Sequence, residues 1–437
     1  MLKIAFIGAG SIIFARNLLF DIFSFPELAG STISLMDIDT KRLEIITKLA
    51  HKIINQEGFK IAIQSTRDRR EALKDADFVI SMFQAGGLDA YELDIGIPLK
   101  YGVKQAVGDT LGPGGVFRFL RTAVVLRDML ADMEELCPGA LLINYVNPMA
   151  MNCWYIYRIS GIKNVGLCHS VQGTSALIAA LVGAPYDEIS FICAGINHMA
   201  WFLEFKWKDR DVYPVLKERA ENPHIYKVEV TRFEILKRFG YFVTESSHHM
   251  SEYVPYFRKS DEWINMIHKD ANWNNKGVYN GMYLQYCKDA AESFSSDMEK
   301  LLNEERMELK RSREYGAFII HSMVTGVPGV IHGNVENKGL ITNLPEGCCV
   351  EVPCLVDKNG IRPIYVGQLP AQLAALNRTN INVQELAVEG MVAGKREAIY
   401  HAVMMDPLTS AVLTMSEIQD MVSEMFEAQK QWLPELR

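Results

Sequence analysis

The opening of the chain restricts its fold more than any other part. Lys3–Ile7 is an unbroken apolar run, it stops at Gly8-Ala9-Gly10-Ser11, and a helical pattern begins near Ile12. A strand, a glycine turn and a helix in that order make a dinucleotide-binding unit. The glycines allow the tight turn and the close approach of backbone to a pyrophosphate, whose charge sits at the helix N-terminus. The third glycine of the fingerprint is absent, and Phe14 or Ala15 stands in its neighbourhood. A second strand, Thr32–Met36, ends at Asp37, with Asp39 just beyond. A carboxylate there accepts hydrogen bonds from the adenosine ribose hydroxyls, which favours NAD over NADP. Gly8, Gly10, Ser11 and Asp37 are therefore the expected cofactor contacts.

The alternation continues. A helix over 40–55 leads to a strand at 60–64, a short helix around Ala72 to a strand at 78–83, and a helix over about 117–137 to a strand at 141–146. A strand at 165–168 is the sixth. Six strands alternating with helices specify an α/β chain with a Rossmann-type doubly wound parallel sheet, and ligands gather at the carboxyl ends of such strands. Beyond about Ala194 the rhythm stops. A strand at 201–207, helices at 281–305 and 313–325, and strands at 331–336 and 349–356 come next. Asp357-Lys358-Asn359-Gly360 is a hairpin signal leading to a strand at 362–366, and the stretch from Gln368 onward is mostly helical. The expected division is a NAD-binding domain over 1–195 and a mixed α+β domain over 196–437, carrying substrate, metal and subunit contacts.

Length and charge exclude several function classes. A chain of 437 residues is expected to hold two domains, or one with a sizeable elaboration, and its formal charge of −8 disfavours nucleic acid or an anionic membrane as the main partner. No apolar run approaches the roughly 20 residues needed to span a bilayer. The first residues enter a strand at once, and the eight cysteines are irregularly spaced. Neither a signal peptide nor a disulfide framework is expected, and the expected location is cytoplasmic.

Four stretches carry chemistry. Gly108-Asp109-Thr110-Leu111-Gly112-Pro113-Gly114-Gly115 is too rich in glycine for a helix or strand interior. It reads as a loop of fixed shape around Asp109, leading into a helix that begins with Arg118 and Arg121. Asn144-Tyr145-Val146-Asn147-Pro148 puts two amides at a strand's carboxyl end, suited to nicotinamide ribose or substrate hydroxyls. Gly166-Leu167-Cys168-His169-Ser170-Val171 delivers a thiol and an imidazole past the sixth strand, and Asn197-His198 comes after the next apolar run, Ile189–Ile196. A thiolate and an imidazole from two strand ends make half a coordination sphere for a borderline transition metal. Alone, a Cys-His pair is more often a buried small hydrophobe beside a hydrogen-bonded histidine. The last stretch, Val243–Tyr253, is dense in groups that ligate or titrate, among them Glu245, Ser247, His248, His249 and Glu252.

A hydroxy-acid dehydrogenase would use such a fold and take its acid/base from His198. It also needs an arginine for the substrate carboxylate in the mobile loop, and residues 71–117 contain none. A non-catalytic NAD sensor would have little use for the polar cluster.

Taken together, Gly8-Ala9-Gly10-Ser11, Gly108 to Gly115, Asn147-Pro148, Cys168-His169-Ser170-Val171 and Asn197-His198 resemble glycoside hydrolase family 4, in order and spacing, from the first residues to about Tyr256. The resemblance implies a second domain like the C-terminal domain of lactate and malate dehydrogenases. It also implies cleavage of glycosides with NAD⁺ and a divalent metal, usually Mn²⁺, without net redox change, an exception to the two-carboxylate scheme. In that chemistry C3 of the sugar is oxidised, the C2 proton is removed, the leaving group is eliminated, water adds, and C3 is reduced again. By position, Cys168 and His198 resemble the metal ligands, and Asn147 a sugar-binding asparagine. His169 is the leading general acid and Asp109 the runner-up. Tyr253 resembles the base at C2, with His249 or Ser247 as alternatives. Asn144 is expected to contact the cofactor. Within the family Cys-His-Ser-Val accompanies α-galactosides, so the expected substrate is an unphosphorylated α-galactoside such as melibiose or raffinose, with α-glucosides and α-galacturonides as alternatives. A homodimer or homotetramer is expected.

Overall fold

The computed structural model describes residues 2–268, 278–308 and 310–437, apart from the side chains of residues 12–14. Phe14, near the missing third glycine, is thus outside the described side chains, while Ala15 is fully buried. Six parallel strands, β1 (Lys3–Ile7), β2 (Thr32–Met36), β3 (Ala62–Thr66), β4 (Phe78–Ser81), β5 (Leu141–Asn144) and β6 (Asn164–Gly166), lie in the order β6-β5-β4-β1-β2-β3. That is the order of a doubly wound dinucleotide fold. Ile4 of β1 sits between Ile33 and Phe78, and the strand is buried on both faces, as a parallel sheet covered by helices requires.

Each of the first four strands leads into a helix: α1 (Ile12–Phe23), α2 (Thr40–Glu57), α3 (Arg69–Leu73) and α4 (Gly87–Lys100). Asp39 caps α2 through the backbone N–H of Arg42, and Gly58 ends it in the left-handed conformation, at φ 69°. The third strand starts two residues later than expected because α2 runs on to this cap. α4 lies in a stretch read from the sequence as loop, where Gly86, Gly87 and Pro98 mask its pattern.

The next helix, α5 (Gly112–Leu136), takes in the second half of the loop expected over 108–115 and leaves 108–111 as loop. Pro113 suits a first helical turn, where its missing N–H has no partner to lose. The glycines are required by close packing instead. A Cβ on Gly114 would run into the Gly108 carbonyl, and one on Gly115 would come within 2.5 Å of the Thr110 backbone. α6 (Met149–Ile159) and α7 (Ser170–Val182) complete the first half.

From β7 (Ile189–Ile196) the chain turns antiparallel. The later strands are β8 (Met199–Trp207), β9 (Arg210–Asp211), β10 (Phe242–Val243), β11 (Gly329–Glu336), β12 (Cys349–Asp357) and β13 (Gly360–Pro363). The hairpin signal at Asp357–Gly360 joins β12 to β13, which ends early because Val366 and Gly367 bond to Leu340 instead. Among the described residues all thirteen strands form one sheet, in which β12 and β11 stand between β7 and β6. A single row crosses the junction: Gly166 pairs with Asn334, Asn334 with Glu351, and Glu351 with Gly195. Helices over Ala371–Ala393, Arg396–Met404, Pro407–Val412 and Met415–Gln429 close the chain, the last opened by a capping box of Thr414 and Glu417. No helix of the described residues is long and apolar enough to cross a membrane.

His332 on β11 is buried, stacks on Phe191 at 5.5 Å, and neither ring nitrogen has a hydrogen-bond partner. Burial alone pulls its pKa down to about 4. Unfolding lets it titrate near 6.5, so between about 6.5 and 4 the unfolded chain binds the proton and the folded one does not. Stability is full above that window and is lost as pH falls through it, by about 3 kcal/mol from this one group. His332→Phe is expected to raise the melting temperature at pH 5 relative to the parent while changing it little at pH 8. Equal shifts at both pH values would reject the assignment.

Candidate active site

Cys168 lies two residues past the end of β6, where α7 begins. His198 comes from the two-residue turn between β7 and β8 and has φ 64°, a left-handed backbone that costs a non-glycine residue about 1 kcal/mol. At the row through Gly166 and Gly195, three strand spacings, about 14 Å, separate β6 from β7. The segments beyond the strand ends close that gap: Cys168 Sγ and His198 Nε2 are 3.2 Å apart.

The stretch after β10 supplies the other walls. The helix Ser247–Met250 comes just after Glu245, so Glu245 and His249 lie one turn apart and both face His198. Glu245 Oε2 is 3.4 Å from His198 Nε2 and 4.0 Å from His249 Nδ1. Tyr253 is 3.1 Å from His198 Nδ1 through its hydroxyl. On the far side Asp109 Oδ1 is 3.7 Å from His249 Nε2, and Asp109 Oδ2 accepts from Asn147 Nδ2 at 3.3 Å. The Asn147–Pro148 peptide is cis. Arg118, in the first turns of α5, stands 3.7 Å from Asp109 Oδ2.

Burial and charge together set the protonation states. Burial alone would lower the His198 pKa, but the Glu245 carboxylate and then Cys168 outweigh it and raise it to about 10. Glu245 is pulled down to about 2: burial opposes this, and His198 and His249 overcome it. Asp109 is likewise held below the usual carboxylate range, since Arg118 and His249 overcome its burial. A carboxyl held charged accepts hydrogen bonds and does not donate a proton. Tyr253 moves the other way, well above the usual phenol value, through burial and the nearby Glu245 and Asp109 carboxylates. Behind Cys168, Glu351 on β12 is fully buried and pushed well up, mainly by burial.

Two carboxylates are thus held charged against protonated His198 and Arg118, surroundings in which a cation can take the place of the His198 proton. One ligand atom each from His198, Glu245 and His249 lies within 4.8 Å of the others, and His249 Nε2 is buried without a hydrogen-bond partner. With Cys168, the donor set of sulfur, imidazole nitrogen and carboxylate oxygen fits a borderline divalent transition metal.

Other expected residues lie apart from this cluster. The His169 side chain is 68% exposed and its Nδ1 is 3.9 Å from Glu314 Oε1. Asn144 is fully buried and its amide is engaged locally, with Ser81 and with both backbone groups of Val146. At the glycine turn, Asp37 accepts from the backbone N–H of Gly10 at 2.7 Å and of Asp39 at 2.8 Å, which binds the turn to the end of β2. Gly8 has φ 88°, and a Cβ there would meet Phe83 at 2.8 Å. Sequence reasoning placed Glu245 in the polar cluster without a specific role, and gave none to Arg118 or Glu351. The four-residue spacing of Glu245, His249 and Tyr253 was the available signal, since it puts all three on one side of a helical segment.

A dinucleotide-type sheet with thiol, imidazole and carboxylate groups gathered past its strand ends defines a class of proteins that operate at strand termini. Within that class the chain belongs to family 4 of the glycosyl hydrolases: the model of that family matches residues 3–184, and that of the family's C-terminal domain matches residues 193–409. An alpha-galactosidase of Bacillus subtilis is 43% identical over the whole of both chains. One from Rhizobium meliloti is 38% identical over 99% of this chain and 89% of its own. An alpha-galacturonidase of Thermoanaerobacterium saccharolyticum is 29% identical over 99% and 96%. The 6-phospho-beta-glucosidase of Thermotoga maritima, solved with manganese, NAD⁺ and glucose-6-phosphate, superposes with a TM-score of 0.82 at 20% identity over all of both chains. Malate dehydrogenase of Plasmodium falciparum shares the fold at a TM-score of 0.52 and 13% identity, over 91% of this chain and 100% of its own.

Proposed function

We propose that the chain is an α-galactosidase that works with NAD⁺ and a divalent metal, Mn²⁺ in the first instance, on unphosphorylated substrates such as melibiose. The observation that carries this reading is the 43% identity to an alpha-galactosidase over the full length of both chains. The site supports it. Cys168 and His198, with Glu245 and His249 beside them, would hold the metal. When bound, the metal supplies the positive charge that polarises the C2 and C3 oxygens of the sugar and makes the C2 proton acidic. Gly8, Gly10, Ser11 and Asp37 would hold NAD⁺, which supplies a hydride acceptor for C3.

The chain's own residues then have distinct duties. Tyr253 takes the C2 proton, and its hydrogen bond to His198 aims the hydroxyl. Asp109, held as a carboxylate, accepts from a sugar hydroxyl, with Asn147 next to it. His169, exposed at the start of α7, meets the leaving group on its way to solvent and protonates it. An unphosphorylated substrate is supported by the Cys168-His169-Ser170-Val171 sequence and by the two alpha-galactosidase relatives.

An α-galacturonide is the second reading. It is favoured by Arg118, whose buried Nη1 lacks a hydrogen-bond partner and is suited to a uronate carboxylate. A panel of nitrophenyl glycosides with NAD⁺, Mn²⁺ and a thiol decides between them. The α-galactoside is expected to be cleaved with a kcat/KM at least about tenfold above the α-glucoside, the α-galacturonide and the 6-phospho-α-glucoside, a difference of about 1.4 kcal/mol. Preference for the uronide or the phosphorylated sugar sinks the assignment.

A further inference from the structure

Glu252 is buried far from the chain segment it serves. Its Oε1 accepts from the backbone N–H of Ala106 at 2.6 Å and from that of Val107, and its Oε2 accepts from Gly108 at 2.9 Å. Three consecutive N–H groups converging on one carboxylate make an anion nest, filled here by the protein itself. Both ends of this contact lead directly to the site. The residue after Gly108 is Asp109, and the residue after Glu252 is Tyr253. A second tie joins the same two segments: Arg258 donates to the Lys104 carbonyl and to Ser251 Oγ at 3.3 Å. On its other side the Tyr253 carbonyl is fixed by Asn380 Nδ2 at 3.1 Å.

We infer that Glu252 is a positioning residue: its carboxylate clamps the 106–108 loop and so sets Asp109 against Tyr253 across the sugar site. An amide cannot replace it, because glutamine has one acceptor oxygen and turns an NH₂ toward an N–H. Aspartate keeps the charge and both oxygens but is one methylene shorter. The consequence for turnover rests on the function proposed above; the clamp itself does not.

The test has two independent readouts on the full-length protein. Hydrogen exchange of the peptide covering residues 106–108 is expected to speed up at least about tenfold in Glu252→Gln, with the rest of the chain unchanged. With the α-galactoside, NAD⁺ and Mn²⁺, kcat is expected to fall about 100-fold with KM changing less than about threefold, since a shift of roughly 1 Å at a site costs that much. Glu252→Asp recovers part of both effects, and it carries the test should Glu252→Gln not fold. In the Asp109→Asn background, adding Glu252→Gln costs little more, because both act through one group. Unchanged exchange, or losses of kcat that multiply in the double variant, overturn the clamp. A parent protein inactive on every glycoside overturns the proposed function instead, and leaves the exchange measurement to decide the clamp.

Discussion

The Cys168→Ser and His198→Ala proteins are expected to fold and to bind NAD⁺, yet to turn over no glycoside. Each removes one of two groups only 3.2 Å apart at the centre of the cluster. Loss of the metal should lower kcat/KM by about 10³-fold or more, on the order of 4 kcal/mol of transition-state stabilisation. Metal analysis of the purified proteins, with the melting temperature as a check on folding, separates this cause from others. A full complement of metal in both variants would mean that the pair is structural. The protonation state adds a signature. His198 holds its proton up to about pH 10 in the metal-free chain. A ligand must give that proton up, so Mn²⁺ affinity should rise with pH below that value, with proton release on binding.

Turnover in D₂O should place deuterium at C2 of the released galactose, and Tyr253→Phe should lose both the label and the activity. The phenol is buried, 3.1 Å from His198 Nδ1, and held protonated by neighbouring carboxylates. It can act as a base only when a positive charge offsets them, which ties its duty to the metal site. Removing a positioned base costs about 10²–10⁴-fold. Product without label excludes removal of the C2 proton. Label that persists in Tyr253→Phe passes the duty to another group, His249, 5.2 Å away between rings, or Ser247.

Much of this molecule is legible in its sequence because local patterning and fold agree. The first two strands and the glycine turn fall where apolar runs and Gly8-Ala9-Gly10 put them, and Asp37 lies at the end of β2. Cys168 and His198 were also readable as a pair, since both come after strand ends and such ends converge on ligands. The errors have one physical origin. Gly112 to Gly115 carry a loop signal, but their lack of side chains serves the packing of a helix start against the Asp109 loop, which only the tertiary structure reveals. Glu351 was missed for a related reason. Glu351 comes from a strand more than 180 residues after Cys168, and nothing in its own neighbourhood, Cys348 to Cys354, distinguishes a buried carboxyl from an alternating strand position.

The row from Gly166 through Asn334 and Glu351 to Gly195 has one more consequence. Cys168 belongs to the part of the chain that carries the glycine turn, while His198, Glu245 and Tyr253 belong to the later part, and β11 and β12 hold the two in register. The distance between the thiol and the imidazole is therefore set by two strands, β11 and β12, that belong to neither residue's own segment, and a change in either strand reaches the cluster without touching it.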